Sequence, residues 1–275
     1  MPSLGLILRS WRETRTSTLV FFLIITAFSG LMAFALPRVQ ERFLSQARFV
    51  PPQFLQIRNS ILGVDTASFG VMEIAYSLAW SHPAILALLF AHAILVTTRV
   101  PAGELERGTM DVLLGLPISR WQLYINETLA WLATCALVLL AVFLGSRIGS
   151  IWVKPEYHPN WSRLLVVLAN LAMLELAVGS LGLLTSAFAD RRGRAVLLVL
   201  VVVVTSLLLS FLEALWEPAK RVAFLGILHY YRPADVLTNS KGVWPWRNMG
   251  ALAGVALTAW TTGGIKFARR DLTTT

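Results

Sequence analysis

The chain has 275 residues, of which 56% are hydrophobic and 14% are charged, and its formal net charge is +9. A soluble domain usually carries nearly twice that share of charge, and several apolar runs here are about 20 residues long, enough to cross roughly 30 Å of hydrocarbon. The composition therefore excludes an ordinary soluble domain and indicates an integral membrane protein. The basic residues cluster at the ends of the apolar runs, which favours contact with anionic lipid over nucleic acid.

The sequence has no pattern typical of a catalytic, metal-binding or nucleotide-binding site. The single cysteine, Cys135, lies inside a predicted span, which excludes a disulfide framework and a Cys/His zinc site. The four histidines are not at metal-ligand spacing, and the chain has no Gly-x-x-x-x-Gly-Lys-Ser/Thr phosphate loop. We therefore predict no catalytic residue, no metal site and no cofactor bound by this chain.

The N-terminal region is predicted to form two elements. Residues 4–15 mix apolar side chains with three arginines, which is typical of a short basic amphipathic helix on the inner membrane surface. The first span follows at about residues 17–36, and Pro37 is expected to end it.

The second span is predicted at about residues 83–98. Pro83 is well placed in the first turn of a helix. The preceding apolar run, residues 66–80, contains Glu73, so we expect it to be interfacial or half-inserted.

The segment from Arg99 to Glu127, here named the elbow, is the longest polar interval that keeps helical order. An amphipathic helix is predicted from Glu104 to Leu116, where Pro117 stops it. Its two faces are Leu105, Thr109, Val112 and Leu116 on one side, and Glu104, Arg107 and Asp111 on the other. Ser119 and Gln122 predict a capping box, which starts the third span at about residues 121–148. A surface helix that turns sharply into a membrane helix suits docking to something outside the bilayer.

The rest of the chain predicts three more spans. They lie at about residues 162–188, 195–215 and 246–267, with an interfacial outer helix at 218–231. The predicted fold is thus an all-α integral membrane protein with six transmembrane helices in one domain over residues 1–275. Six spans place both termini on one side, and the basic turn at Arg191–Arg194 indicates that this side is the cytoplasm.

Two pairs of polar residues lie inside predicted spans. Glu175 and Asn170 are in the fourth span, and Glu127 and Asn126 are early in the third. A charge at mid-bilayer costs on the order of 3 kcal/mol, so such groups usually face a partner or a wet cavity. Either a translocation path or an interhelical hydrogen bond explains Glu175, whereas the structural explanation is favoured for Glu127.

Several short motifs follow one another around the elbow. His82-Pro83 opens the second span, and the motifs that follow are Gly103-Glu104, Glu106-Arg107-Gly108-Thr109, Leu113-Leu114 and Pro117-Ile118-Ser119-Arg120. This order resembles the membrane subunits of ABC type-2 exporters, the six-span permease family. The segments LHYYRPADVL and FARRDL resemble the region before the last span and the ending of that family.

The resemblance implies a permease that works as a dimer of membrane subunits, with two ATP-binding subunits that carry the ATP and magnesium. In the family, the helix corresponding to Glu104–Leu116 docks into a groove on the ATPase. The implied coupling residues are Gly103, Glu104, Glu106, Arg107, Gly108, Thr109, Asp111, Leu113, Leu114, Pro117, Ser119 and Arg120. The implied location is a bacterial-type inner (cell) membrane, with both termini cytoplasmic.

The residues alone leave other functions open. One is a stand-alone proton-coupled carrier or membrane enzyme that uses Glu175 and Glu127. Another is an anchor that tethers an ATPase without moving solute. The elbow helix could also lie on lipid, but its acidic residues Glu104, Glu106 and Asp111 favour a protein groove, because surface-bound helices usually present Lys and Arg.

Overall fold

The computed structural model describes residues 4–46, 71–238 and 244–270, and no β-strand occurs among them. The helices are α1 Leu4–Gln46, α2 Val71–Ser81, α3 Pro83–Thr97, α4 Glu104–Glu106, α5 Met110–Leu114, α6 Arg120–Ser150, α7 Trp161–Phe188, α8 Arg192–Leu215, α9 Pro233–Thr238 and α10 Trp246–Arg269.

In the described part of the chain, five stretches are long and apolar enough to cross a membrane. They are Leu4–Val39, Ala75–Thr97, Arg120–Ser150, Pro155–Phe188 and Arg192–Leu215. The prediction of an all-α membrane protein is confirmed, and these stretches overlap the first five predicted spans. Helix α10 covers the sixth predicted span and has 24 residues, or about 36 Å. It is not among the five apolar stretches, so the sixth span stays a prediction.

Helix α1 is continuous where two elements were predicted. The amphipathic segment 4–15 and the first span form one helix of 43 residues that passes through Pro37. The chain has no breaker between residues 6 and 29, so nothing separates the two parts. At Pro37 the neighbouring Arg38 guanidinium donates to the carbonyl oxygens of Phe34, at 2.7 Å, and Trp152, at 2.5 Å. This side chain anchors the helix beside α6 and offers partners to backbone groups near the proline.

The region before Pro83 packs into the bundle, and its predicted interfacial or half-inserted position stays a prediction. Tyr76 and Trp80 of α2 are buried, and the Trp80 indole donates to the Ser146 hydroxyl of α6 at 2.9 Å. His82 separates α2 from α3 and caps the latter, since its Nδ1 accepts from the Ala84 amide at 3.2 Å. Residues 66–70, and the side chain of Glu73, lie outside the described part of the structure.

Small residues allow α1 and α6 to pack closely. A Cβ added at Gly149 would lie 2.1 Å from the Gly30 carbonyl oxygen, and one added at Gly145 would lie 2.3 Å from the Thr26 carbonyl oxygen. The two backbones therefore touch near the end of the bundle far from the elbow. This contact fixes the register of α1 against α6.

The outer segment after α8 is not the single helix predicted for 218–231. It consists of the 3₁₀ turns Glu217–Arg221, Ala223–Leu225 and Ile227–Tyr230. Gly226 is extended and interrupts helical hydrogen bonding. The Tyr231 hydroxyl donates to the Trp80 carbonyl oxygen at 3.1 Å, which holds this segment over α2.

Candidate coupling site

The predicted elbow helix is broken into α4 and α5. Gly108 between them has φ +68°, a left-handed conformation that suits glycine. The Gly108 amide donates to the Leu105 carbonyl oxygen, and the Thr109 amide donates to the Glu104 carbonyl oxygen, each at 3.0 Å. These two bonds form a Schellman motif, which ends α4 after one turn. The prediction of one continuous helix from Glu104 to Leu116 is therefore wrong.

The break turns Glu104 into the bundle. Its carboxylate is 1% exposed and accepts from Arg9 of α1, at 3.1 Å, and from Arg107, at 2.7 Å. The Thr109 hydroxyl also donates to it. Glu104 thus connects α1 to the elbow, and it is not available to a partner protein.

A second buried ion pair joins the start of the elbow to α6. The Arg99 guanidinium donates to Glu127 at 2.5 Å, and both side chains are less than 10% exposed. Arg99 also pairs with Glu13, and the Ser10 hydroxyl donates to Glu127 at 2.5 Å. Since Ser10 and Glu13 belong to α1, this cluster joins α1, the elbow and α6 at one depth. Glu127 therefore has a guanidinium and a hydroxyl as partners, and its structural role stays a prediction.

The elbow is also connected to α7 and α8. The Glu106 carboxylate accepts from the Arg192 amide at 3.0 Å, so a negative charge lies at the N-terminus of α8. The Arg192 guanidinium donates to the Leu95 carbonyl oxygen at 2.7 Å, and the aliphatic part of the same side chain lies beside Gly103. The Ala102 amide donates to the Ser186 hydroxyl of α7 at 3.1 Å.

The end of α10 lies at the same end of the bundle as the elbow. Arg270 donates to the carbonyl oxygens of Ala187, at 3.0 Å, and Ala189, at 2.9 Å, after the last turn of α7. It also pairs with Asp190, and its own carbonyl accepts from Arg120. The first turns of α1, the elbow, the 189–192 turn and the end of α10 form one layer.

The other side of the elbow is exposed. Val112 is 74% exposed and Leu116 is 44% exposed, although both are apolar. The predicted coupling residues divide into three groups by exposure. Gly103, Glu104 and Leu113 are buried, Leu114 and Arg120 are half-buried, and Glu106, Arg107, Gly108, Thr109, Asp111, Pro117 and Ser119 are exposed. The predicted division into faces is wrong, because Glu104 faces inward and Val112 outward.

The helix behind the elbow begins as predicted. The Gln122 amide donates to the Ser119 hydroxyl at 3.2 Å, and the Ser119 amide donates to the Gln122 side chain at 2.9 Å. This is the capping box. Asn126, a predicted path residue, donates to the Gln122 carbonyl oxygen at 2.6 Å and lies within this first part of α6.

Glu175 and Asn170 form a separate polar site in α7. Both are buried, and neither side chain has a hydrogen-bond partner among the described residues. The Trp131 indole nitrogen of α6 is likewise buried without a partner there, and its ring packs on Gly179, one turn beyond Glu175. The sequence suggested Glu175 and Asn170 together, but no hydrogen bond joins them in the described structure.

A family comparison adds an independent observation. The sequence model of the family described as "ABC-2 family transporter protein" matches residues 6–272. The chain belongs to this ABC-2 transporter family. Comparisons with curated proteins and with solved structures gave no match.

Membership in the ABC-2 family makes this chain a multi-pass membrane permease component of an ABC transporter. Such a component associates with an ABC ATP-binding subunit. In this ABC-2 protein the elbow has both buried contacts with the bundle and an exposed face.

Sequence reasoning missed three charged residues of this site. From the sequence, Arg99 is only the first residue of the elbow, and Arg9 and Glu13 are only part of a surface helix. A signal was present, because Arg9 and Glu13 are four residues apart and form an ion pair at 2.8 Å. Nothing in the local sequence shows that both also reach the elbow.

Proposed function

We propose that this ABC-2 protein is the membrane-spanning subunit of an ATP-driven exporter, and that its elbow transmits the movement of a separate ATP-binding subunit to the spans. One observation carries the proposal. The elbow has an exposed face around Val112 and Leu116, while its opposite side is fixed to α1 and α6 by ion pairs whose carboxylates are buried. An exposed hydrogen bond from the Arg192 amide to Glu106 also joins it to α8.

The strength of these contacts supports transmission of movement. Removal of one partner from a buried ion pair typically costs about 3–5 kcal/mol, whereas an exposed pair contributes at most about 1 kcal/mol. The pair between Arg99 and Glu127 belongs to the first class. A displacement of the elbow would therefore move α1 and α6 with it instead of breaking the contact.

The elbow end of the bundle is proposed to face the cytoplasm, where the ATP-binding subunit holds ATP and magnesium. The basic turn at Arg191–Arg194 supports this orientation, because short cytoplasmic loops are rich in Arg and Lys. Helix α10 is proposed as the sixth span. Its end at Arg270 lies in the elbow layer and its start at Trp246 follows the outer segment, which fits one more crossing.

A second copy of the chain is proposed to complete the permease. In the most apolar part of α8, 17% of the residues are buried, whereas 61% are buried in the corresponding part of α7. The outward residues of α8 are almost all Val and Leu, so only lipid or another apolar helix can cover them. A dimer would place the exposed faces of two elbows below one membrane unit.

Glu175 and Asn170 are proposed as the intramembrane polar site of the transport cycle. Polar groups buried in α7 without a partner are costly, and a state in which substrate or water reaches them would lower that cost. The same observation favours the second candidate, a stand-alone proton-coupled carrier. Transport that persists without any ATP-binding subunit and is lost in Glu175→Gln would support the carrier.

The test of the main proposal compares two apolar residues of similar exposure. Val112 is 74% exposed on the elbow, and Ile151 is 70% exposed just beyond the opposite end of α6. Each is changed to Asp, and the ATPase activity of the complex with its ATP-binding subunit is measured. We expect Val112→Asp to lower activity about tenfold, because an unpaired charge buried in a docking groove costs about 1–3 kcal/mol. Ile151→Asp should leave activity unchanged, and equal activity in both variants would contradict the proposal.

A further inference from the structure

A groove lies between α1 and α6 on the half of the bundle nearest the elbow. It has a volume of about 520 Å³. Trp11, Arg15, Leu19 and Phe22 line it on α1, at spacings that place them along one face of the helix, and Leu137 lines it on α6. Thr16 and Thr18 complete the lining, so the groove is basic and polar toward the start of α1 and apolar from Leu19 onward.

The groove runs along much of one leaflet. Arg15 and Phe22 are seven positions apart, or about 10 Å along the helix axis. One leaflet contributes about half of roughly 30 Å of hydrocarbon. No charged residue occurs from 16 to 37, so Arg15 is the last charge before the apolar part of α1.

Arg15 has no partner within the described protein. It is exposed, and neither a hydrogen bond nor an ion pair joins it to any described residue. By contrast, Arg9 on the same helix pairs with Glu13 and Glu104. A free guanidinium beside an indole ring at the membrane interface suits the phosphate of an anionic lipid.

We propose that this groove is a binding site for an anionic glycerophospholipid of the leaflet on the elbow side. The Arg15 guanidinium would pair with the headgroup phosphate, and one acyl chain would lie against Leu19, Phe22 and Leu137. The site is independent of the proposed coupling function, since it requires only that α1 and α6 lie in the bilayer.

A second groove between α1 and α6 serves as a comparison for the proposed lipid site. It is lined by Thr26, Gly30, Phe34 and Gly149 among others, has a volume of about 510 Å³ and lies in the other half of the bundle. No charged side chain lines it, and Arg38 at its far end is already bonded to the carbonyl oxygens of Phe34 and Trp152. This second groove should take acyl chains, and the Arg15→Gln variant then assigns the anionic preference to one groove or the other.

The experiment is native mass spectrometry of the purified full chain after exchange into phosphatidylglycerol and phosphatidylcholine with identical acyl chains. Wild type should retain phosphatidylglycerol preferentially. Arg15→Gln should lower that preference about fivefold, equivalent to about 1 kcal/mol for one basic residue near the membrane surface. Arg12→Gln, which removes the same charge from an exposed residue outside the groove, should keep the preference.

A third variant fills the groove from α6. Leu137→Trp leaves every charge of α1 in place, and it should abolish preferential retention by excluding the acyl chain. The proposal is overturned if Arg12→Gln and Arg15→Gln reduce the preference equally, since the attraction is then a general property of a basic helix. It is also overturned if Leu137→Trp retains phosphatidylglycerol as wild type does, and this result decides the question should Arg15→Gln fail to fold.

Discussion

The cluster of Arg99, Glu127 and Glu13 gives a sharp prediction about stability. Arg99→Met removes the guanidinium that lies between the two carboxylates. Glu127 is 7% exposed and, within the described ranges, would keep only the Ser10 hydroxyl as a donor. Glu13 is 35% exposed and would still pair with Arg9. The cost of Arg99→Met therefore falls mainly on Glu127.

The expected magnitudes differ among the three single variants. Arg99→Met should lower the free energy of unfolding by about 3–5 kcal/mol, the cost of an uncompensated buried charge. Glu127→Met should cost less, about 1–3 kcal/mol, because Arg99 keeps Glu13 as a partner. Glu13→Met should cost at most about 1 kcal/mol, since that side chain is partly solvated.

The assay is thermal unfolding in mild detergent, where Arg99→Met should lower Tm by about 6–20 °C. The double variant Arg99→Met/Glu127→Met should be more stable than Arg99→Met alone, because it removes the unpaired carboxylate as well. Additive losses in the double variant would refute the interpretation that Arg99 and Glu127 form one buried unit.

Three further predictions concern local structure. Gly108→Ala should destabilise by about 1–2 kcal/mol through its left-handed backbone alone, since no atom lies within 4 Å of the added Cβ, and Gly108→Asn should recover part of this in the same melting assay. Gly179→Ala should cost about 1–3 kcal/mol because its Cβ would overlap the Trp131 ring. Gly250→Ala, in open space on α10, should be neutral or stabilising. Equal Tm values for these two variants would contradict the packing of Trp131 on Gly179. Ser119→Ala should cost about 1 kcal/mol by loss of the N-cap, and a Tm unchanged from wild type would show that the capping box does not stabilise α6.

Features determined by local sequence were predictable. The capping box at Ser119 and Gln122 forms as expected, because both partners lie within four residues of each other. The helices from Arg120 onward that cross the bundle also begin and end within a few residues of their predicted bounds, since long apolar runs end at charged or proline residues.

Features determined by distant contacts were not predictable. Glu104 has the spacing of an exposed helical residue, yet it is buried by Arg9, which is 95 positions away in the chain. The break at Gly108 was present in the sequence as a glycine after a charged turn, but the apolar period of residues 105–116 suggested continuity. Helix α1 continues through Pro37. The next residue, Arg38, donates to the carbonyl oxygen of Trp152, which lies just beyond α6 and 114 positions away in the chain.

The inward position of Glu104 changes how the elbow should be tested. Glu104→Lys would place a third positive charge beside Arg9 and Arg107 and would disturb the fold. A loss of activity in that variant would not report on docking. Substitutions at Val112 and Leu116 leave the buried contacts intact and address the exposed face directly.

The most direct measurement of the central claim is site-specific photo-crosslinking within the assembled transporter. A benzophenone amino acid is placed at Val112, and in a separate variant at Ile151, which has similar exposure beyond the opposite end of α6. We predict a crosslink to the ATP-binding subunit from position 112 and none from position 151. A complex that purifies intact but gives no crosslink from position 112, or equal crosslinks from both positions, would contradict the claim that the elbow is the coupling surface.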